Sequence, residues 1–271
     1  MLDSLLSLAL AVHSSKGVYA LLLGSGVSQS AGVPTGWDVI VNLIGKLRLL
    51  RDQAESSEDP EAWYRRTFNQ EPDYSEILNA VTQTSAERLQ LLRSFFEPTE
   101  QEREDGVKLP SAAHRAIASL MAKGYIRVVV TTNFDRLLEQ ALIDVGVQPT
   151  VISTVDAIRG ATPLVHSACT IVKVHGDYLD ARLKNTAKEL EAYSQELDSL
   201  LDRIFDEYGL IVCGWSGEWD VALRAAFERC NTHRYGTYWA IRGKLGKAAE
   251  KLVDLRRASV IEIADADSLF Q

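Results

Sequence analysis

Two short stretches carry side chains able to move a proton or orient a substrate. TTNFD, Thr131 to Asp135, closes an apolar run and opens a helix-like segment. Asn133 can donate and accept hydrogen bonds, and Asp135 offers a carboxylate. Both types also cap helices, so a cap at Asn133 or Asp135 is the plain alternative. KVHGD, Lys173 to Asp177, places His175 where a second apolar run ends in glycine. Histidine is the natural general base near neutral pH. A lone histidine is more often structural, but here it joins other strand-end polar motifs. His13, His114, His166 and His233 lack such a setting and read as structural or surface residues.

Two glycine-bearing stretches supply the other half of a site. LLLGSGVSQSAGVP, Leu21 to Pro34, leaves an apolar run through Gly24, Ser25, Gly26 and Ser28 and reaches Ala31 and Gly32. Such a turn can aim backbone N–H groups at an anion beside a helix N-terminus. The spacing is neither GxGxxG nor a P-loop, so a bare strand-to-helix turn stays open. GWSGEWD, Gly214 to Asp220, ends a later apolar run. Gly214 and Ser216 suit ribose or phosphate contacts there, while Asp220 either joins them or caps the next helix.

The elements that must position these residues follow from the apolar pattern. Runs begin at Val18, Tyr125, Cys169, Gly209, Gly236 and Ser259, and most are continuously apolar, as strands covered on both faces are. Helical text separates many of them: SAAHRAIASLMAKG with Ser111 as cap and Gly124 as stop, DRLLEQALIDVG, KELEAYSQELDSLLDRIFDEYG and WDVALRAAFERC. Strand alternating with helix predicts an α/β, doubly wound, Rossmann-like parallel sheet. Residues 1–36 and 110–271 are expected to form it, with 37–109 as an inserted helical module, acid-rich and without a convincing strand. At the amino end, Leu2, Leu5, Leu6, Ala9 and Val12 fit one apolar helical face.

Composition narrows the function classes. The chain has 271 residues and a formal charge of −8, which disfavours direct nucleic acid binding. Cys169, Cys213 and Cys230 are scattered, so neither a structural zinc nor a disulfide framework is expected. The opening apolar stretch is too short to span a bilayer and lacks a basic leader, so the expectation is a cytoplasmic protein with no membrane contact. The closing ADADSLFQ directly follows a strand-like run, as in one domain of a longer protein.

In this order, GSGVS with AGVP, Asn133-Phe134-Asp135, His175-Gly176 and Gly214-Trp215-Ser216 resemble the sirtuin superfamily. A zinc module with two cysteine pairs is absent, and VPTGW stands where a deacylase has Pro-Asp-Phe-Arg, with Trp37 as a possible replacement aromatic. TTNFDRLLE, KVHGD and GWSGEWD look more like the divergent bacterial sirtuin-like domains of antiphage defence, which hydrolyse NAD. The resemblance implies NAD as substrate, cleavage to nicotinamide and ADP-ribose, no metal, and a toxic effector role in abortive infection. It also implies a homo-oligomer or a fused or associated sensor module. Gly24, Ser25, Gly26 and Ser28 would cradle the diphosphate, with Ala31, Gly32, Thr132 and Gly214 lining the cofactor site. Asn133 would orient the ribose or the attacking water, and His175 would accept the proton. Asp135 would bind the nicotinamide amide or fix its loop, Ser216 and Asp220 would contact the adenosine ribose, and Asp265 would lie near the adenine. The alternatives are a protein deacylase, an NAD or ADP-ribose sensing module without catalysis, and a scaffold using the helical insert. Trp63 to Arg66 and Tyr74 are candidate lid or oligomer surfaces.

Overall fold

Each apolar run becomes a parallel strand with both faces covered. A computed structural model describes residues 3–52, 58–179, 192–218, 220–230 and 232–270. The strands are β1 (Tyr19–Leu23), β2 (Ile126–Thr131), β3 (Thr150–Ile152), β4 (Thr170–Lys173), β5 (Gly209–Cys213), β6 (Thr237–Ile241) and β7 (Ser259–Glu262). They pair in the order β3-β4-β2-β1-β5-β6-β7, and every pairing is parallel. Side-chain alternation explains the unbroken hydrophobicity. Ala20 and Leu22 of β1 enter one core, and Leu21 and Leu23 enter the other. The short edge strand β3 was not among the apolar runs read from the sequence.

The helices are α1 (Ser4–Ser14), α2 (Gly36–Asp52), α3 (Pro60–Phe68), α4 (Tyr74–Val81), α5 (Ser85–Phe96), α6 (Glu100–Glu104) and α7 (Ala112–Ala122) in the first half. They continue as α8 (Leu137–Asp144), α9 (Val155–Gly160), α10 (Gln195–Glu207), α11 (Val221–Arg229), α12 (Lys247–Arg256) and α13 (Ala266–Phe270). One face of the sheet is covered by α10, α11 and α12, through Leu201, Ile204, Phe205, Leu223, Phe227 and Leu252. The other takes α7, α8 and α13, through Ile117, Ala118, Leu142 and Leu269. Ser111 caps α7 and Gly124, at φ 72°, follows its end, as the residue types predict.

Between β1 and β2, α2 to α5 share a third core of Leu43, Ile44, Trp63, Tyr64, Ile77, Leu92 and Phe96. Trp63 and Tyr64 are therefore core residues and not a lid or oligomer surface. Arg65 and Arg66 beside them pair with Glu71 and Glu58 at the surface. The side chain of Tyr74 lies outside the described residues, as do Leu2, Trp219 and the start of the KELEAYSQELDSLLDRIFDEYG segment. In α1 the buried residue is Leu8, while Leu5 and Leu6 face outward, so the apolar face is rotated from the predicted one.

The chain departs from β1 toward β2 on one side and later reaches β5 on the other. The crevice at the carboxyl ends of β1 and β5 is thus a topological switch point, where open α/β sheets bind ligands. There the loops after β1 and β5 interlock. A Cβ on Gly24 would lie 2.6 Å from the Trp215 Cα, and one on Gly214 would lie 2.7 Å from the Val27 nitrogen. Gly214 also holds φ 72°. Gly214→Ala is expected to cost about 2–4 kcal/mol, from the left-handed backbone and the overpacking together. Urea denaturation measures it, and a loss well under about 1 kcal/mol would mean that the loops do not interlock.

Candidate functional site

The loop after β1 folds as two 3₁₀ turns, Ser25–Val27 and Gln29–Ala31. Three of its four expected cradle N–H groups are already bonded: Gly24 to the Cys213 carbonyl, Gly26 to Gly214 and Ser28 to Ser25. The glycines serve the packing of the two loops, and these three N–H groups are spent within it. Ser25 is half-buried at the turn. Ala31 packs into the helical core, and its carbonyl accepts from the Lys108 N–H. Gly32 holds φ 73°, and a Cβ there would meet Val107 at 2.8 Å. Both belong to the turn and its packing on the insert.

Ser28 is buried. Its hydroxyl donates to Asp135 Oδ2 at 2.8 Å and accepts from Asn133 Nδ2 at 3.1 Å. His114 Nε2 lies 3.4 Å from the same oxygen. The Ser111 N–H donates to His114 Nδ1 at 3.2 Å, so in the neutral ring Nε2 carries the proton and points it at Ser28. Burial pushes the His114 pKa down, which favours that neutral ring. Asn133 is thus held by a satisfied hydroxyl, while its own Oδ1 is buried and has no partner among the described residues. A buried acceptor left unpaired is costly. Asp135 also accepts from the Leu137 N–H at 3.1 Å, fixing the start of α8. The Thr132 N–H donates to the Leu23 carbonyl, joining the ends of β1 and β2.

His175 stands past the end of β4 and is buried. Its Nε2 lies 2.6 Å from Asp220 Oδ2. The Tyr193 hydroxyl donates to both Asp220 oxygens, at 2.9 and 3.1 Å. Burial first, then the Asp220 charge, pushes the Tyr193 pKa up, which keeps that hydroxyl a donor. Asp220 Oδ1 also accepts from the Leu223 N–H and caps α11. Its carboxylate is therefore engaged with His175, Tyr193 and the Leu223 N–H. Phe134 flanks the imidazole with ring centroids 6.0 Å apart. Trp37 is on α2, its indole N–H donating to Glu61 at 3.1 Å.

Lys173 ties the Asn133 loop to the His175 loop. Its fully buried ammonium donates to the Phe134 and Asp135 carbonyls at 3.1 and 2.6 Å. It also pairs with Glu139 at 3.1 Å and Asp177 at 3.0 Å.

A cleft of about 620 Å³ lies at the ends of β5, β6 and β7. Gly26, Gly214, Ser216 and Asp265 line it together with Arg242 and Lys244. Asp265 Oδ1 accepts from the Ser268 N–H, so its carboxylate is partly spent on a turn. A second cavity, of about 200 Å³, borders His175 on the β3–β4 side, with Ile152, Val155, Ile158, Val174 and Leu197 among its walls. Among the described residues no group of three or more His, Cys, Asp or Glu is placed to hold a metal. None of the described helices is long and apolar enough to cross a membrane.

Residues 127–261 match the family model of the SIR2-like domain. One solved structure, a Sir2 histidine-to-alanine variant with deacetylated p53 peptide and 3'-O-acetyl ADP-ribose, superposes with a TM-score of 0.50 at 13% identity. That match covers 98% of this chain and 95% of the other. The chain belongs to the sirtuin-like superfamily. A Sir2–p53 peptide–NAD+ complex aligns over 98% of this sirtuin-like chain and 95% of its own, with a TM-score of 0.49 and 17% identity. No curated protein matches the chain.

His114, Lys173, Tyr193, Arg242 and Lys244 join the site without having been singled out in the sequence. The Ser111-x-x-His114 spacing reads as a capping box, which it also is. Nothing in it shows that the other ring nitrogen reaches Ser28, 86 positions away.

Proposed function

We propose that this sirtuin-like chain binds NAD along the β1–β5–β6 carboxyl edge and hydrolyses its nicotinamide–ribose bond. Nicotinamide and ADP-ribose leave, and water supplies the hydroxyl that ends on the ribose. The observation carrying this reading is the buried Oδ1 of Asn133, which has no partner among the described residues and is read as a fixed acceptor for a ribose hydroxyl or the attacking water. His175 takes the proton that this water gives up, and its contact with Asp220 stabilises the resulting imidazolium. The ADP-ribose part lies in the larger cleft, where Ser216 faces the ribose region. Arg242 and Lys244 supply positive charge that the bonded glycine loop does not. The SIR2-like family match and the ADP-ribose ester held by the related Sir2 structure support the same ligand class.

The test is incubation with NAD and separation of products by liquid chromatography. Nicotinamide and ADP-ribose in equal amounts are expected, with no acylated peptide present. The apolar cavity against His175 favours one second reading, a deacylase whose acyl chain enters there. Nicotinamide release only on adding acylated peptide would decide for that reading. We extend this reading to an effector role in antiphage defence, which requires that expression deplete cellular NAD in an Asn133-dependent way.

A further inference from the structure

His175 has two ring nitrogens, and only one can be the base. Asp220 Oδ2 sits 2.6 Å from Nε2, and a carboxylate oxygen can only accept. The Tyr193 hydroxyl supplies a hydrogen bond to the same carboxylate, so Asp220 is satisfied as an anion by Tyr193 and the Leu223 N–H together. We infer that Asp220, its carboxylate anchored by Tyr193, is a positioning residue that holds neutral His175 as the Nε2–H tautomer, leaving Nδ1 as the atom that accepts the proton. The use of Nδ1 in turnover rests on the NAD hydrolase reading, whereas the tautomer itself does not.

The geometry dictates what an amide would do at this position. The Leu223 N–H and the Tyr193 hydroxyl both need an acceptor at the Oδ1 position. In Asp220→Asn the amide oxygen therefore stays there and keeps the α11 cap, for which asparagine is as good as aspartate. The amide nitrogen then occupies the Oδ2 position and points a hydrogen at His175 Nε2. The ring must accept at Nε2, its proton moves to Nδ1, and the basic atom is lost without loss of the fold.

The experiment is nitrogen NMR on ¹⁵N-histidine-labelled protein, with His175 assigned by its absence from His175→Ala. The wild type is expected to show a bare Nδ1 and a protonated Nε2 in the neutral ring, and Asp220→Asn the reverse. Tyr193→Phe should keep the wild-type tautomer. NAD cleavage in Asp220→Asn should fall by about 10²–10⁴-fold, the range of general-base help, with the Kd for NAD unchanged. Tyr193→Phe should cost less. A neutral wild-type ring protonated at Nδ1, or an unchanged tautomer in Asp220→Asn, overturns the inference. So does full NAD cleavage by Asp220→Asn after its tautomer has reversed. If the tautomers behave as expected and the wild type leaves NAD intact, the assignment of Asp220 stands and the hydrolase reading falls.

Discussion

Asn133→Ala is expected to lower NAD cleavage by about 10²–10³-fold, the cost of losing one preorganised polar group at a reacting centre. The fold should survive. Asn133 gives a single side-chain hydrogen bond, to Ser28, and that hydroxyl keeps Asp135 and His114 when the amide is gone. The change also deletes a buried oxygen with no partner among the described residues, so stability should hold or rise slightly. The informative result is a split between kinetics and binding. Most contacts to the nucleotide are assigned to the cleft of Gly26, Ser216 and Arg242, so the Kd for NAD should move little while kcat collapses. Single-turnover cleavage beside calorimetric NAD binding measures both. Cleavage within about threefold of wild type would remove Asn133 from the chemistry.

How far the sequence led can be judged from particular residues. Continuously apolar runs became the strands of a parallel sheet because burial on both faces requires that pattern. β3 escaped because Thr150–Ile152 is three residues long and sits at the sheet edge, giving no run to see. Trp63 and Tyr64 were misplaced because they sit in acid- and arginine-rich text. Local charge described the outer face of α3, and the 3.6-residue period put the two aromatics on its inner face. Ser28 reads in the sequence as a phosphate contact, and nothing in its neighbourhood there announces that α7 brings His114 against it. Asp220 carried two readings, cap and ribose contact. The structure shows the cap and adds a third partner, His175, 45 positions earlier. Such side-chain juxtapositions depend on how loops from different strands meet, and sequence spacing does not encode them.

The second large effect concerns Lys173, where site geometry and stability depend on one ammonium. Lys173→Met keeps roughly the length of the side chain and removes its charge. Glu139 and Asp177 then remain largely buried without their shared cation, apart from Arg136, whose Nε is 3.4 Å from Asp177. The Asp135 carbonyl loses this donor as well, and the Phe134 carbonyl keeps only the Tyr178 N–H at 3.4 Å. Breaking a buried pair from one side costs about 3–5 kcal/mol, and that is the loss expected in urea denaturation. Lys173→Arg should not restore the wild type, because a planar guanidinium cannot bond four converging oxygens as a compact ammonium does. Adding Glu139→Gln to Lys173→Met should recover part of the loss by removing one stranded charge. A double-mutant cycle tests this directly. NAD cleavage should not recover with it, since the Asn133 loop still lacks its tether to the His175 loop. Recovery of both together would mean that Lys173 stabilises the fold without positioning the site, and a Lys173→Met loss under about 1 kcal/mol would mean that it does neither.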